Sequence, residues 1–406
     1  MKAFARVVTV ILALALFAAG FAGATAALDV FQPANAKVTT MVKFEVKPYP
    51  QDTTNTVAQR LQDEGLIRNA LVFRLWARYK HLDRGVQAGV YLLSPSMTMN
   101  QIVNTLQSAT PDEIAVTIPD GMRATQYPDY IQGLSQFDPK AFLTTAKTGV
   151  EPDGTKLWQK YWFIPQPGPN VAYALEGYLY PAGYDFFPNA TTTTVVEKML
   201  DQFGIELCPG PSSKPAQYIY DAKLCHQNAA TINGTNIFDL MHAAYPDAKS
   251  DTDAIHDMLI ISSLATKEVR HRKDAVGVAA MYHNRYLHDL DANRYPADVG
   301  QAFGSDPSVE YARDTDKPPT NDKWWKGLVG VSGNDVSPNN PYNTYTHGGM
   351  PPGPIASPYW DAMEAGIAPA NSPYWYIYSD NCGAIYYAKD FAGFQQIQAQ
   401  AANAKC

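Results

Sequence analysis

The chain has 406 residues, of which only 17% are charged while tyrosine contributes 25 and proline 30. That composition excludes disordered and fibrous classes and leaves room for two or three globular domains. A formal net charge of −7, with no Lys/Arg-rich run to offset it, argues against nucleic acid as a partner and is compatible with a neutral or zwitterionic polymer.

Lys2 and Arg6 precede an uncharged run at residues 7–28 that is long enough to cross a bilayer as one helix. With the basic residues before it and Asp29 after it, the positive-inside rule puts the short tail in the cytoplasm and everything later outside. Ala24-Thr25-Ala26 offers the small-residue spacing of a signal-peptidase site, so a cleaved leader competes with an anchor. The length of the apolar run favours an uncleaved anchor at 1–28 followed by a stalk at 29–41, and either reading makes the body extracytoplasmic.

From residue 42 to about 110 the pattern is strand, helix, helix, strand, helix. VKFEVKP alternates apolar and polar residues. Thr53 to Thr56 can cap a helix carrying Val57, Leu61 and Ile67, and Leu71, Phe73, Leu75 and Tyr79 continue the helical content. GVYLLSPSMTMNQIVNTL gives a strand, a turn and a helix starting near Met99. IAVTIPDGMRATQYPDYI (114–131) repeats a strand, a Pro-Asp-Gly turn and a helix. ALEGYLYPAGYDF follows at 174–186. The stretch 205–250 carries Cys208, Cys225 and several turn residues and reads as a peripheral insertion, with further extensions at 286–304 and 323–340. Cys208, Cys225, Cys382 and Cys406 suit disulfides outside the cytoplasm, and three pairings are open. No cysteine or histidine spacing points to a metal, and no cofactor is expected.

In TDAIHDMLIISSLATKEVRHRKDAVGVAAMYHNRY (252–286), Thr252 or Asp251 can cap a helix whose apolar face runs through Ile255, Met258, Leu259 and Ile261. Spacings of three and four continue that row through Leu264 and Ala265 to Glu268. A carboxyl on the continuation of a buried stripe, at the negative end of its helix, is pushed towards its protonated form. Such a group can act as a general acid. On the helix alone, an exposed Glu268 in a fraying last turn is the plainer reading. Ser262 and Ser263 lie mid-helix without a nucleophile elbow, and His283 and His347 have no triad or metal partner in the spacing.

YNTYTHGGMPPGPI (342–355) can be neither helix nor central strand, because its prolines lack donors and its glycines favour turns. It reads as a rigid loop presenting aromatic faces and an amide, suited to a sugar polymer. The block resembles the YNTY…PPG-[AP]-I signature of the membrane-anchored endolytic murein transglycosylases (the MltG or YceG-like family). ISSLATKEV resembles that family's ASIVEKE, and its catalytic glutamate falls on Glu268. ALEGYLYPAGYDF is similar to LEGFLFPDTY, AMYHNRY to VF-x-NRL, and Asp306-Pro307-Ser308-Val309 to DPTV. PYWYIYSDNCGAIYYAKD is similar to PYLYFVADGKGGHTF. Three positions depart from the pattern: Thr266, Gly304 and Ala384 stand for the family's first Glu, its Gln and its His.

The resemblance covers roughly 42–400. It implies an α+β protein with an N-terminal transmembrane helix, a small LysM-like subdomain at 42–110 and a mixed α/β catalytic domain at 111–400. It implies cleavage of peptidoglycan glycan strands between N-acetylmuramic acid and N-acetylglucosamine, leaving 1,6-anhydromuramyl ends and terminating nascent strands near the membrane. Glu268 is the implied acid, and Glu176, Tyr342, Asn343, Thr344 and Tyr345 are the residues expected to hold the sugar. A peptidoglycan synthase docking on the transmembrane helix is an open partner. Two rivals stand beside this reading: a hydrolytic muramidase pairing Glu268 with Asp306 or Glu176, and a silent peptidoglycan-binding scaffold membrane protein.

Overall fold

A computed structural model describes residues 31–46, 52–80, 89–107, 113–187, 190–210, 219–291, 303–320, 323–328 and 336–401. The run at 7–28, the small-residue site within it, Cys406 and most of the 286–304 extension lie outside these residues. Among the described residues no helix is long and apolar enough to cross a membrane. The chain divides into two compact units, 1–114 and 115–406, and the class is α+β.

In the first unit the order is β1 (Val42–Val46), α1 (Thr54–Asp63), α2 (Ala70–Tyr79), β2 (Gly89–Leu93) and α3 (Met99–Gln107). β1 and β2 pair antiparallel, with Val42 opposite Leu93 and Val46 opposite Gly89. Period-two alternation turns Phe44 and Val46 inward. They meet Val57, Leu61, Phe73, Tyr91 and Ile102 in one core. Thr53 and Thr56 form a reciprocal capping box that fixes where α1 begins.

The second unit is built on helices, and its described strands occur only as two-stranded pieces. β3 (Ile114–Thr117) pairs with β4 (Gly183–Phe186), and β5 (Tyr376–Ser379) forms a hairpin with β6 (Ile385–Ala388). The helices of eight or more residues are α4 (Pro139–Thr148), α5 (Thr192–Leu207), α6 (Ile237–Ala244), α7 (Asp251–Glu268), α8 (Ala275–Leu290), α9 (Asp306–Asp316), α10 (Trp360–Ile367) and α11 (Phe391–Ala401). Of these, α7 is central. It packs against α6, α8, α9 and α10, and every residue from Met258 to Thr266 is buried. Its N-cap is Ser250, one or two residues before the expected Asp251 or Thr252, because the Ser250 hydroxyl accepts from the Asp253 amide at 3.2 Å. Val269, in an extended conformation, ends the helix directly after Glu268.

The 205–250 stretch is less peripheral than its composition suggests. Ile237, Phe238, Met241 and Tyr245 are buried, and the Tyr245 hydroxyl donates to the Gly366 carbonyl at 2.8 Å. A disulfide joins Cys208 to Cys225, and Cys382 is also disulfide-bonded.

Gly366 lets α10 approach α7: a Cβ there would lie 2.2 Å from Ser262 Oγ and 3.1 Å from the Met258 carbonyl. Gly366→Ala should therefore destabilise the protein by about 1–3 kcal/mol through overpacking. Adding Ser262→Ala should recover part of that loss in urea unfolding, and strictly additive penalties would contradict this contact.

Candidate active site

Glu268 is half-buried at the last position of α7. Tyr282, on the facing side of α8, places its hydroxyl 3.2 Å from Glu268 Oε2 and 3.1 Å from Ser305 Oγ. Its ring stacks on Phe303 at 5.5 Å. Burial raises the Glu268 carboxyl to about 7, the negative charge of Asp306 adds to the rise, and the Tyr282 hydrogen bond opposes it. The group thus stands between its acid and base forms near neutral pH.

Arg285 lies three residues after Tyr282, so the two project from the same side of α8. Its guanidinium donates to the carbonyls of Phe303 (2.6 Å), Gly304 (2.7 Å) and Trp375 (2.9 Å). The adjoining Asn284 amide donates to the carbonyls of Ser372 and Tyr374, both at 2.8 Å. These two residues hold the segments that wall the site and do not reach the acid by hydrogen bonds.

The 342–345 loop is tied to the start of α9. The Gly304 amide donates to the Thr344 carbonyl at 3.0 Å, the Ser305 amide to Thr344 Oγ1 at 2.9 Å, and Ser308 Oγ to the Tyr342 carbonyl at 2.8 Å. Tyr345 closes the set by donating from its hydroxyl to Asp306 Oδ1 at 2.6 Å. Within this loop Tyr342, Asn343 and Thr344 are 2%, 0% and 1% exposed, against 39% for Tyr345. Both tyrosines and the amide were expected to face outward. Only Tyr345 offers a surface, because the Tyr342 ring packs on Tyr311 at 4.9 Å and Asn343 Oδ1 accepts from the Tyr345 amide at 3.3 Å.

Glu176 is also buried, at 1% exposure. One carboxyl oxygen accepts from the Ala124 amide at 2.8 Å and the other from the Tyr311 hydroxyl at 3.0 Å. Burial raises its carboxyl to about 7 while the Arg123 charge opposes the rise. The neighbouring Gly177 has φ +82°, and a Cβ there would sit 2.7 Å from Pro354. Only glycine lets the 174–186 segment meet the Pro-rich loop so closely. Glu176, Tyr311 and Tyr342 therefore form a buried cluster that holds the loop at its first residue.

Sequence reasoning did not single out Tyr282, Ser305, Arg123 or Glu310. Tyr282 could have been found from its shared face with Arg285. Arg123, 0% exposed, lies 4.2 Å from the centre of the Tyr311 ring and 4.6 Å from that of Trp324, and no spacing signals such a contact. Glu310, one turn after Asp306, is raised to about 7 by burial and adds negative potential at Glu268. Lys267 is turned away from the acid: its ammonium lies 4.1 Å from the Trp325 ring centre and donates to the Gly121 carbonyl at 3.2 Å.

The departures from the family pattern are locally accommodated. Thr266 donates to the Ser262 carbonyl of its own helix at 2.8 Å. Gly304 sits between Arg285 and Thr344. The Ala384 amide donates to Asp380 in the β5–β6 turn at 2.9 Å.

A sequence profile of the YceG-like family matches residues 46–400. Proteins named endolytic murein transglycosylase from two strains of Streptococcus pneumoniae are each 26% identical to this chain over 422 residues; all of the chain is covered, and it spans 66% of their length. One of the same name from Bacillus subtilis is 23% identical over 349 residues, covering 83% of this chain and 79% of that protein. A crystal structure of a yceG-like protein from Listeria monocytogenes is 23% identical, covers 88% of this chain and 100% of that one, and superposes with a TM-score of 0.47.

A carboxyl whose folded pKa is raised to about 7 binds more protons in the native than in the unfolded state between about pH 4.5 and 7. Its destabilising effect is absent below that window and complete above it. Glu268→Gln, which cannot ionise, should therefore be more stable than the parent by on the order of 2 kcal/mol at pH 8 and nearly equal to it at pH 4. Denaturant unfolding at the two pH values checks this, and equal differences at both would contradict the shift.

Proposed function

The chain belongs to the YceG-like family, and on that premise we propose that it is an endolytic murein transglycosylase using Glu268 as its single acid and base. The observation that carries this reading is the half-buried Glu268 carboxyl beside Tyr282, raised to about 7. One group that must first give and then take a proton works best with a pKa near the working pH.

In this mechanism Glu268 donates its proton to the oxygen joining N-acetylmuramic acid to N-acetylglucosamine. The C1–O bond breaks and its electron pair leaves on that oxygen. The Glu268 carboxylate then takes the proton of the muramic acid C6 hydroxyl as that oxygen attacks C1, closing the 1,6-anhydro ring. No water is consumed, and Glu268 ends protonated as it began. The Tyr282 hydroxyl stabilises the carboxylate between the two halves, and holding the sugar in an attacking pose replaces a second catalytic carboxylate.

Tyr345 is the residue of the 342–345 loop suited to stack on a sugar ring. Tyr342, Asn343, Thr344 and Glu176 support it from beneath. The finer parts of the proposal are that residues 7–28 anchor the protein with the described units outside the membrane, and that the first unit is LysM-like, as its strand–helix–helix–strand order suggests. A peptidoglycan synthase belongs to the same proposal as a partner at the anchor. A hydrolytic variant gains support from Asp306, whose charge reaches Glu268. Glu176 does not favour it, since both its oxygens already accept hydrogen bonds.

Mass spectrometry of peptidoglycan digested by the full chain should show anhydromuramyl ends, with turnover lowered about 10²- to 10⁴-fold by Glu268→Gln. Reducing ends would replace this reading with a muramidase. Intact glycan from both proteins, with binding retained, would leave a wall-binding scaffold. Because the Asp306 charge raises the Glu268 pKa, Asp306→Asn should move the alkaline limb of the pH–rate profile towards lower pH. An unmoved limb would remove Asp306 from the account.

A further inference from the structure

Helix α2 of the first unit has an outward face that its own fold leaves uncovered. Ala70, Phe73 and Ala77 turn into the core, while Leu71, Leu75 and Tyr79, at successive i+4 positions, are 56%, 62% and 70% exposed. The helix sequence ALVFRLWARY contains no acid, and Arg74 and Arg78 flank the apolar row. Beside it opens a concavity of about 410 Å³ lined by Thr53, Thr54, Asn55, Arg74, Leu75 and Arg78. Arg74 Nε is buried there without a hydrogen-bond partner, and its Nη1 is 3.5 Å from Asn55 Oδ1. The first turn of α1, capped by Thr53, borders the same space with the amide-rich end that favours anions.

What this face meets follows from where the preceding chain is fixed. The Phe31 ring packs edge-on against Trp76 of α2 at 4.9 Å, and Trp76 stacks on Tyr79 at 5.2 Å. The Met99 amide donates to the Phe31 carbonyl at 3.1 Å, and Arg68 Nε donates to the Pro33 carbonyl at 2.9 Å. The apolar run read as a membrane span ends at residue 28, so two residues lie between it and Phe31, and the three Cα–Cα steps reach at most about 11 Å. A helix held that close to a bilayer and presenting two leucines, Tyr79, Trp76 and two arginines has the composition of an interfacial helix.

We propose that the Leu71–Leu75–Tyr79 face of α2 lies on the membrane surface, with the Arg74–Arg78 concavity holding the phosphate of an anionic phospholipid. This rests on the reading of residues 7–28 as a span. A glycan strand fits the face less well, because sugar rings call for neither a pair of guanidinium groups nor two exposed leucines. The docked helix sets the orientation of the first unit on the bilayer.

The test uses the full chain in nanodiscs of phosphatidylcholine and phosphatidylglycerol, with a benzophenone amino acid at position 75 or, as a control on another helix, at Gln59. Co-purification with the discs tests the span, and lipid adducts found by mass spectrometry test the docking. Adducts at position 75 but not at 59, reduced about fivefold by Arg78→Glu, are the expected result. A disc-bound chain with no lipid adduct at 75, with equal adducts at both positions, or with adducts that pass from lipid to added glycan strands overturns the docking and leaves the span. A chain that does not co-purify with the discs overturns the span, and the docking with it.

Discussion

A carboxyl at the end of a buried helix meets two effects that disfavour its charge: loss of water and the negative end of the helix dipole. α7 imposes both on Glu268. Four helices pack around it, and it stays enclosed up to Thr266, two residues before its end. The groups that approach Glu268 then set the balance. Asp306 and Glu310 add negative potential, whereas Tyr282 and Arg285 favour the ionised form. Lys267, the adjacent cation, is drawn instead to Trp325 and the Gly121 carbonyl. Among the described residues, no ion pair is formed with Glu268 that would hold the acid permanently ionised.

The remaining motifs keep that environment in shape. Arg285 joins α8 to Phe303, Gly304 and the strand that starts near Trp375. Thr344 joins the Pro-rich loop to Ser305, and Ser305 lies against the same tyrosine that contacts Glu268. Below the loop, Glu176 accepts from Tyr311, and Tyr311 packs on Tyr342. Segments far apart in the chain thus converge on a few residues through backbone carbonyls and buried hydroxyls. A loop secured at this many points holds the outward-facing Tyr345 ring on a fixed backbone, while Tyr342, Asn343 and Thr344 stay buried.

Much of this was legible in the sequence. The i+3 and i+4 spacing from Ile261 to Glu268 places the acid at the end of a buried row, and the period-two alternation of Phe44 and Val46 sets the inward face of β1. The order of elements in the first unit follows from the same two periods. What escaped depends on tertiary contact. Nothing local distinguishes the outward Tyr345 from the inward Tyr342, since that choice is made by Tyr311 from α9. A glutamate after a leucine gives no sign that both oxygens of Glu176 will be met by Ala124 and Tyr311. The buried part of 205–250 was hidden by its turn-rich first half, although Ile237, Phe238 and Met241 carry helical spacing. Lys267 likewise has neighbours that spacing alone cannot supply.

The most direct test of this account is a ¹³C NMR titration of the Glu268 side-chain carboxyl in the full chain, assigned by its loss in Glu268→Gln. A midpoint near 7 is predicted, with the signal still largely that of the acid at pH 6. A midpoint in the ordinary glutamate range, about 4.3, would show that burial does not keep the proton on Glu268. The single acid–base role would then have no physical basis in this site.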